Sequence, residues 1–462
     1  MEKKEYTDKQ LIDATQIAYL DLIEKTLLNF KADGEAKKGP YTLRELIEAN
    51  INWESADLNL RLEGGNNTTL SKKNIKELIE FSEISDFDKE IIKKLSEEAL
   101  DWKIVDIHDK NLENGFYGCV IETSPENAIV AFRGSEGHNK DYAGLINDWV
   151  KADFGLFKNK CTEQQKEVER FLDALSVNNV LDKYKFLAST GHSLGGNLAS
   201  HFAIAAAKGE NKKEIFDKLN QVVNFDGPGV SQQYLNFYKD AIKDAGNKIK
   251  HYKWSLVGDL LHDIPGENIE YLSIDENKYK DNEIDNLKYK TFTRHSTSSL
   301  KFSKSGRAIR GEQDNLSKVM HSISIGAEKV PTELIADILV PDSIQKAIGG
   351  AARIFSSSIY QKKDGGIGFN LLGEKDDEIQ YGDNQNLLTG MILKESINYS
   401  KTINKDKLKI EKGKRGYEDV MDAALKDYTF CDTRKFKETA NGLRSYINVK
   451  RDKQKYENME RY

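Results

Sequence analysis

The chain is poor in the residues that build disulfide-bonded scaffolds and metal-binding fingers. It contains only three cysteines in 462 residues, Cys119, Cys161 and Cys431. They are odd in number and far apart, so they form neither a disulfide framework nor a metal-ligand pair. Reduced thiols are the expected state, which suits a protein that folds in a cytosol.

The chain also lacks a strong excess of one charge and a recognisable membrane or export segment. It has 69 basic and 75 acidic residues and a net charge of −6, which argues against nucleic-acid binding. Residues 186–207 contain no Asp, Glu, Lys or Arg, but His192, His201, Asn197 and several glycines exclude a membrane span. No signal-peptide core follows the charged start, so we expect a cytoplasmic protein or one exported by a signal-independent secretion system.

The chain does contain a serine motif that lies between a predicted strand and a predicted helix. Residues 191–196 read G-H-S-L-G-G, a G-x-S-x-G pattern. Residues 185–190 before it resemble a buried strand, and residues 197–207 after it are helix formers. Strand, tight turn and helix are the context of a nucleophile elbow, in which small neighbours let the serine protrude. The sequence therefore predicts Ser193 as a nucleophile and the Leu194 N–H as an oxyanion donor.

The hydrophobic pattern predicts an α/β protein with a mostly parallel sheet and helices on both faces. Residues 8–100 are expected to be mostly helical, and helical patterns return in the C-terminal extension at 331–340 and 342–360. The predicted strands between them are 103–107, 115–122, 128–132, 185–190, 221–225, 252–257 and 288–293, with a helix at 162–175. We expect residues 1–305 to form one domain and residues 306–462 to form a helical extension.

A reactive serine needs a base and an acid, in the chain order serine, acid, histidine for this kind of elbow. Asp226 and Asp259 each follow a predicted strand, and the residues alone do not decide between them. His295 comes directly after the last predicted strand, where a base belongs, and His321 is the alternative.

A second oxyanion donor should come from a loop after an early strand. The predicted strand 128–132 ends in Arg133, Gly134 and Ser135. Gly134 permits a close backbone approach, and Ser135 offers both its N–H and its hydroxyl. We therefore expect Ser135 to lie in the oxyanion hole.

Four stretches together resemble the class 3 lipase group of α/β-hydrolases, especially its bacterial lipase-like members. They are A-F-R-G-S at 131–135, N-D-W at 147–149 with Asp153, G-H-S-L-G-G at 191–196 and D-L-L-H-D-I-P at 259–265. The likeness covers residues 10–305. It implies an α/β-hydrolase fold, Ser193 as nucleophile, Asp259 rather than Asp226 as acid, His295 as base and Ser135 in the oxyanion loop.

The function expected from the motifs and the resemblance is a serine ester hydrolase acting on lipid esters, a lipase or phospholipase, with no metal or organic cofactor. The alternatives are a serine thioesterase or peptidase, or a non-catalytic interaction protein on a hydrolase fold. The domain layout resembles secreted bacterial effectors. Residues 306–462 would then contact a chaperone or an immunity protein, with transient contact to a membrane surface.

Overall fold

The computed structural model describes the N-terminal two thirds of the chain with gaps, and short pieces beyond. The described residues are 5–32, 40–56, 74–134, 161–255, 257–275, 294–313, 317, 321, 324–325, 359–361 and 367–369.

An eight-stranded sheet organises these residues. Its strands lie side by side in chain order, with β1 to β4 pairing antiparallel and β4 to β8 pairing parallel. The strands are β1 (Tyr41–Thr42), β2 (Lys103–Lys110), β3 (Phe116–Ser124), β4 (Asn127–Phe132), β5 (Phe186–His192), β6 (Leu219–Phe225), β7 (Ile249–Lys253) and β8 (Asn268–Tyr271). The expectation of an α/β protein with a mostly parallel sheet is confirmed, since four of the seven neighbouring pairs are parallel.

Helices cover both faces of the sheet. Those of the described residues are α1 (Asp8–Ile17), α2 (Leu22–Ala32), α3 (Leu43–Glu48), α4 (Ile75–Leu78), α5 (Asp86–Lys94), α6 (Glu97–Leu100), α7 (Asn111–Asn114), α8 (Glu163–Val177), α9 (Leu194–Lys208), α10 (Lys213–Lys218), α11 (Gln232–Phe237) and α12 (Lys239–Ala245). Three of them begin at capping boxes built by Thr7, Thr42 and Thr162, each of which accepts a backbone N–H three residues on.

The two faces carry separate hydrophobic cores because successive strand residues point to opposite sides. Ile121 and Ile129 pack with the N-terminal helices, whereas their neighbours Val120 and Val130 pack with α8 and α9. Both cores are built from side chains that are almost fully buried. The sheet is therefore a rigid central layer, and its carboxyl edge positions the residues described below.

Some helices and strands predicted from the sequence are corrected by the structure, and others lie on residues that the structure does not describe. Strand β8 was not predicted, and β7 ends at Lys253 rather than at 257. The predicted helix 342–360 is wrong at its end, because β9 (Ile359–Gln361) pairs antiparallel with β10 (Ile367–Phe369). The predicted strand 288–293, the helix 331–340 and the basic segment 401–462 lie outside the described residues.

Described residues beyond position 305 contact the α/β unit. Arg310 donates a hydrogen bond to the Tyr252 hydroxyl at 3.0 Å, and Ser324 Oγ accepts one from the Leu261 N–H at 2.8 Å. Within the part of the chain that the structure describes, no helix combines the length and the apolar character needed to cross a bilayer.

Candidate active site

Ser193 lies in a strained turn between a strand and a helix. It directly follows β5 and precedes α9, with φ 58° and ψ −135°, a backbone conformation that non-glycine residues seldom adopt. Such strain costs about 1–3 kcal/mol and persists where surrounding structure enforces it. The predicted strand–turn–helix is thus present, with the serine at its apex.

Glycines make this turn possible because backbone segments cross within van der Waals distance. A Cβ atom on Gly191 would lie 2.2 Å from the carbonyl oxygen of Gly195, and one on Gly195 would lie 2.3 Å from the Phe132 oxygen. These distances are far below any real contact of a Cβ atom. The glycines flanking the serine are therefore required by close approach of β5, α9 and the end of β4.

A buried carboxylate at the end of the neighbouring strand faces His295. Asp226 follows β6, is fully buried, and its Oδ2 lies 2.7 Å from His295 Nδ1. Its Oδ1 accepts the backbone N–H groups of Trp254 at 2.8 Å and Ser255 at 3.0 Å. Since β6 and β7 are parallel, their carboxyl ends meet at one edge, which brings these groups together.

The electrostatics keep Asp226 ionised. Burial by itself would raise the pKa of Asp226, but the hydrogen bond and charge of His295, together with Ser255 and Trp254, lower it to about 2. A carboxylate that is charged at neutral pH accepts the Nδ1–H of the imidazole. The Nε2 atom of His295 is then the one that carries a free lone pair.

Asp259, the acid implied by the resemblance, is not placed against His295, and this corrects that expectation. Its Oδ1 accepts the Tyr271 hydroxyl at 2.8 Å and the Gln313 amide at 3.1 Å, and it lies 3.5 Å from Lys253 Nζ. These partners hold the carboxylate in a separate polar group. His321, the alternative base, lies with Asp259: its Nδ1 is 3.0 Å from the Asp259 carbonyl oxygen.

The segment that carries His295 is held by two rings. The Trp254 indole donates to the Arg294 carbonyl at 2.9 Å, and His192 Nε2 donates to the His295 carbonyl at 2.8 Å. The His192 ring also stacks on Trp254, with centroids 5.8 Å apart. Burial and the neighbouring His295 lower the pKa of His192 to about 3, so His192 stays neutral and acts as a donor.

Among the described residues, no hydrogen bond joins Ser193 to His295. His295 Nε2 is buried and has no hydrogen-bond partner in the described part of the chain, while Ser193 is 6% exposed. Catalytic serine–histidine hydrogen bonds are often long in ligand-free proteins and tighten when substrate binds. The His295 ring lies 4.4 Å, between centroids, from the ring of His192, which directly precedes Ser193, and its Nε2 atom is free of hydrogen bonds to the residues that the structure describes.

The start of the predicted oxyanion loop is fixed next to Ser193. A Cβ atom on Gly134 would lie 3.0 Å from Ser193 Cβ, and the Gly134 N–H donates to the Tyr19 hydroxyl at 3.0 Å. Buried Arg133 pairs with Asp21 at 3.2 Å. Tyr19 and Asp21, from the segment after α1, thus anchor this loop, a role that the sequence pattern did not reveal.

Of the two predicted oxyanion donors, the structure describes Leu194 but not Ser135. Leu194 is the first residue of α9, so its N–H has no acceptor within the helix and lies at the positive end of the helix dipole. Ser135 lies outside the described residues, as does the stretch 147–153.

One family model matches the part of the chain that contains this site. The family model described as Mbeg1-like, a lipase-like family, matches residues 98–305, which is less than half of the chain. That span contains Ser193, Asp226 and His295. No curated protein matches the chain significantly.

Solved lipases share only slight structural likeness with the chain. M37 lipase is 18% identical, covering 36% of this chain and 60% of that one at a TM-score of 0.25. The lipase of Rhizomucor miehei in its propeptide complex is 17% identical, with 42% and 60% covered at a TM-score of 0.27. The triacylglycerol lipase from Penicillium expansum is 17% identical, with 38% and 72% covered at 0.24. The chain spans about 60% of the length of the first two.

Proposed function

We propose that the protein is a serine ester hydrolase in which Ser193 is the nucleophile, His295 the base and Asp226 the acid. The observation that supports this assignment best is the 2.7 Å contact between Asp226 Oδ2 and His295 Nδ1. It is joined by the elbow at Ser193, whose φ is 58°, and by the 4.4 Å separation between the ring centroids of His295 and His192, the residue before Ser193. Asp226 thereby replaces Asp259 in the catalytic assignment. Trp254 and His192 act as positioning residues, because they hold the backbone of the His295 segment.

The proposed reaction proceeds through an acyl-enzyme. His295 Nε2 takes the proton of Ser193 as the serine oxygen attacks the ester carbonyl, and the imidazolium formed is stabilised by ionised Asp226. The Leu194 N–H and the loop that continues from Gly134 to Ser135 hold the oxyanion. His295 returns the proton to the leaving alcohol, and water then cleaves the acyl-serine with His295 again as base.

The proposed substrates are lipid esters, so that the protein acts as a lipase or phospholipase of the α/β-hydrolase type, close to class 3. The match of residues 98–305 to a lipase-like family supports this substrate class. Mass spectrometry of the products from mixed phospholipids and glycerides, with acyl thioesters and peptides in parallel, tests it. Preferential turnover of thioesters or peptides contradicts it.

Active-site labelling tests the nucleophile. A fluorophosphonate probe is expected to label the wild-type chain, and Ser193→Ala to abolish both labelling and release of p-nitrophenol from short acyl esters. Ser200→Ala is the matched control, because Ser200 is buried in α9 and its hydroxyl donates to the Gly196 carbonyl of its own helix. Undiminished labelling of Ser193→Ala contradicts the assignment, and absence of labelling in the wild type indicates a non-catalytic protein.

We also propose that residues 306–462 bind a chaperone or an immunity protein. The basis is the domain layout of the sequence alone. Co-purification of the tagged full chain from its native host is expected to yield a small partner that is lost when residues 326–462 are deleted. Retention of that partner by the truncated chain contradicts the proposal.

A further inference from the structure

A second group of side chains, one of which contacts the residue after Asp226, has the composition of a metal site. His251 lies on β7, and Asp263 and Glu267 lie in the segment between β7 and β8. One ligand-type atom from each residue lies within 4.8 Å of the others. The sequence does not reveal this group, because the three residues form no spaced motif.

The hydrogen bonds of His251 leave one ring nitrogen facing a carboxylate. His251 Nε2 lies 2.9 Å from the Gly227 carbonyl oxygen, which only accepts, so Nε2 carries a proton. His251 Nδ1 lies 3.3 Å from Glu267 Oε1, and both side chains are at most 2% exposed. Two lone pairs at this distance repel unless a cation, either a proton or a metal ion, lies between them.

The second oxygen of Glu267 is also without a partner. Glu267 Oε1 accepts the Ile264 N–H at 3.1 Å, but Oε2 is buried and has no hydrogen bond with any described residue. A buried carboxylate oxygen without a partner is costly, since it has lost its hydration. This oxygen sits on the carboxylate that faces His251.

The local charges are also unbalanced. Among the residues that the structure describes here, Asp259, Asp263 and Glu267 supply three negative charges, and the buried Lys253 supplies one positive charge, 2.5 Å from Asp263 and 3.5 Å from Asp259. An imidazole with a single proton adds no charge. One divalent cation would neutralise the remaining two negative charges, whereas a second proton on His251 would neutralise only one.

We propose that His251 Nδ1, Glu267 and Asp263 form a binding site for Zn²⁺. Metal–nitrogen and metal–oxygen bonds of about 2.0–2.1 Å in a tetrahedron put neighbouring ligand atoms about 3.3 Å apart. This is the separation of His251 Nδ1 and Glu267 Oε1. A zinc-bound imidazole commonly donates its other N–H to a backbone carbonyl, as His251 does to Gly227. Water or the second Glu267 oxygen supplies the fourth ligand.

The ion would tie the strand β7 to the segment that leads into β8. His251 also holds Gly227, which follows Asp226 directly, so the ion would stiffen the turn that carries the proposed acid. The site has a structural role in this proposal. It does not depend on the proposed ester hydrolysis.

Titration of the chelator-treated full chain with ZnCl₂ in a calorimeter tests the site. We expect one Zn²⁺ per chain in the wild type, and affinity at least about tenfold weaker in His251→Gln and in Asp263→Asn. In the second variant the buried Lys253 keeps Asp259, at 3.5 Å, as a charged partner. His108→Gln is the matched control, because His108 also contacts a buried carboxylate, Glu167, at 3.2 Å, and it should bind Zn²⁺ like the wild type.

A thermal readout accompanies the titration. Zn²⁺ at about 100 times its dissociation constant should raise the melting temperature of the wild type by about 5 °C or more, and should not raise that of His251→Gln. If the variants do not fold, Co²⁺ added to the wild type must give the visible absorption of a tetrahedral site. No binding by the wild type, or equal binding by the folded variants, overturns the proposal and identifies His251 and Glu267 as a proton-bridged pair.

Discussion

Replacing Asp226 with asparagine removes one negative charge from the site and changes the shape of the side chain very little. Asparagine tolerates the positive φ of 53° at this position better than most residues. Its oxygen can still accept the N–H groups of Trp254 and Ser255 that Asp226 Oδ1 accepts now. The substitution is therefore expected to change the electrostatics of the site rather than the fold.

The expected loss of activity follows from the 2.7 Å contact with His295. An asparagine amide facing His295 Nδ1 donates instead of accepting, so the imidazole proton moves to Nε2. His295 then cannot accept the proton of Ser193, and the imidazolium loses its counter-charge. The equivalent change in a serine–histidine–aspartate triad lowers kcat about 10⁴-fold, which corresponds to about 5 kcal/mol.

Asp259→Asn is the matched comparison. It also removes a buried carboxylate, but one that bonds Tyr271 and Gln313 and lies 3.5 Å from Lys253. We expect kcat to change less than about tenfold and the melting temperature to fall by a few degrees, because Lys253 keeps Asp263 as its partner.

Steady-state hydrolysis of a p-nitrophenyl ester and the rate of fluorophosphonate labelling measure the two variants, with circular dichroism as the check on folding. A folded Asp226→Asn protein with kcat within tenfold of the wild type refutes the assignment of the acid. A loss of about 10⁴-fold in folded Asp259→Asn, with Asp226→Asn active, restores the acid that the sequence resemblance implies.

Three further outcomes are expected. Gly191→Ala should lower the free energy of unfolding in urea by about 1–3 kcal/mol, because its Cβ would lie 2.2 Å from the Gly195 oxygen; wild-type stability contradicts the packing argument. Tyr19→Phe leaves the Gly134 N–H without its acceptor, so kcat should fall about tenfold with KM little changed; an unchanged kcat contradicts this. Burial lowers the pKa of His201 from 6.5 to about 3, so the unfolded chain alone binds this proton between those values. The free energy of unfolding should therefore fall by about 1 kcal/mol for each unit by which the pH drops between these two pKa values. The free energy of unfolding of His201→Gln should fall less steeply over the same range.

The local parts of the site could be predicted from the sequence. Small residues on both sides of Ser193, with a strand pattern before and a helix pattern after, specify an elbow because no other residues fit so tight a turn. The capping boxes at Thr42 and Thr162 are local in the same way, since a side chain bonds the backbone three residues away. His295 is predicted as the base because, in this kind of elbow, the histidine follows the serine and the acid along the chain.

The residues around Asp226 and Asp259 do not reveal which of the two carboxylates faces His295. Asp226 and Asp259 both follow strands, and the resemblance favours Asp259. In the structure, Asp226 meets His295 because the residues directly after β7 supply the Trp254 and Ser255 N–H groups, and Trp254 holds the Arg294 carbonyl. These contacts join residues 28 to 69 positions apart.

The sequence by itself determined the class of the fold, the tight turn at Ser193 and the residue types available for chemistry, because periodicity, glycine sterics and helix caps act over a few residues. Only the tertiary structure decided which carboxylate faces His295, that Tyr19 anchors the Gly134 loop, and that His251, Asp263 and Glu267 converge. Each of these depends on where strand ends and loops meet across the sheet, and such distances are set by packing of the whole domain rather than by spacing along the chain.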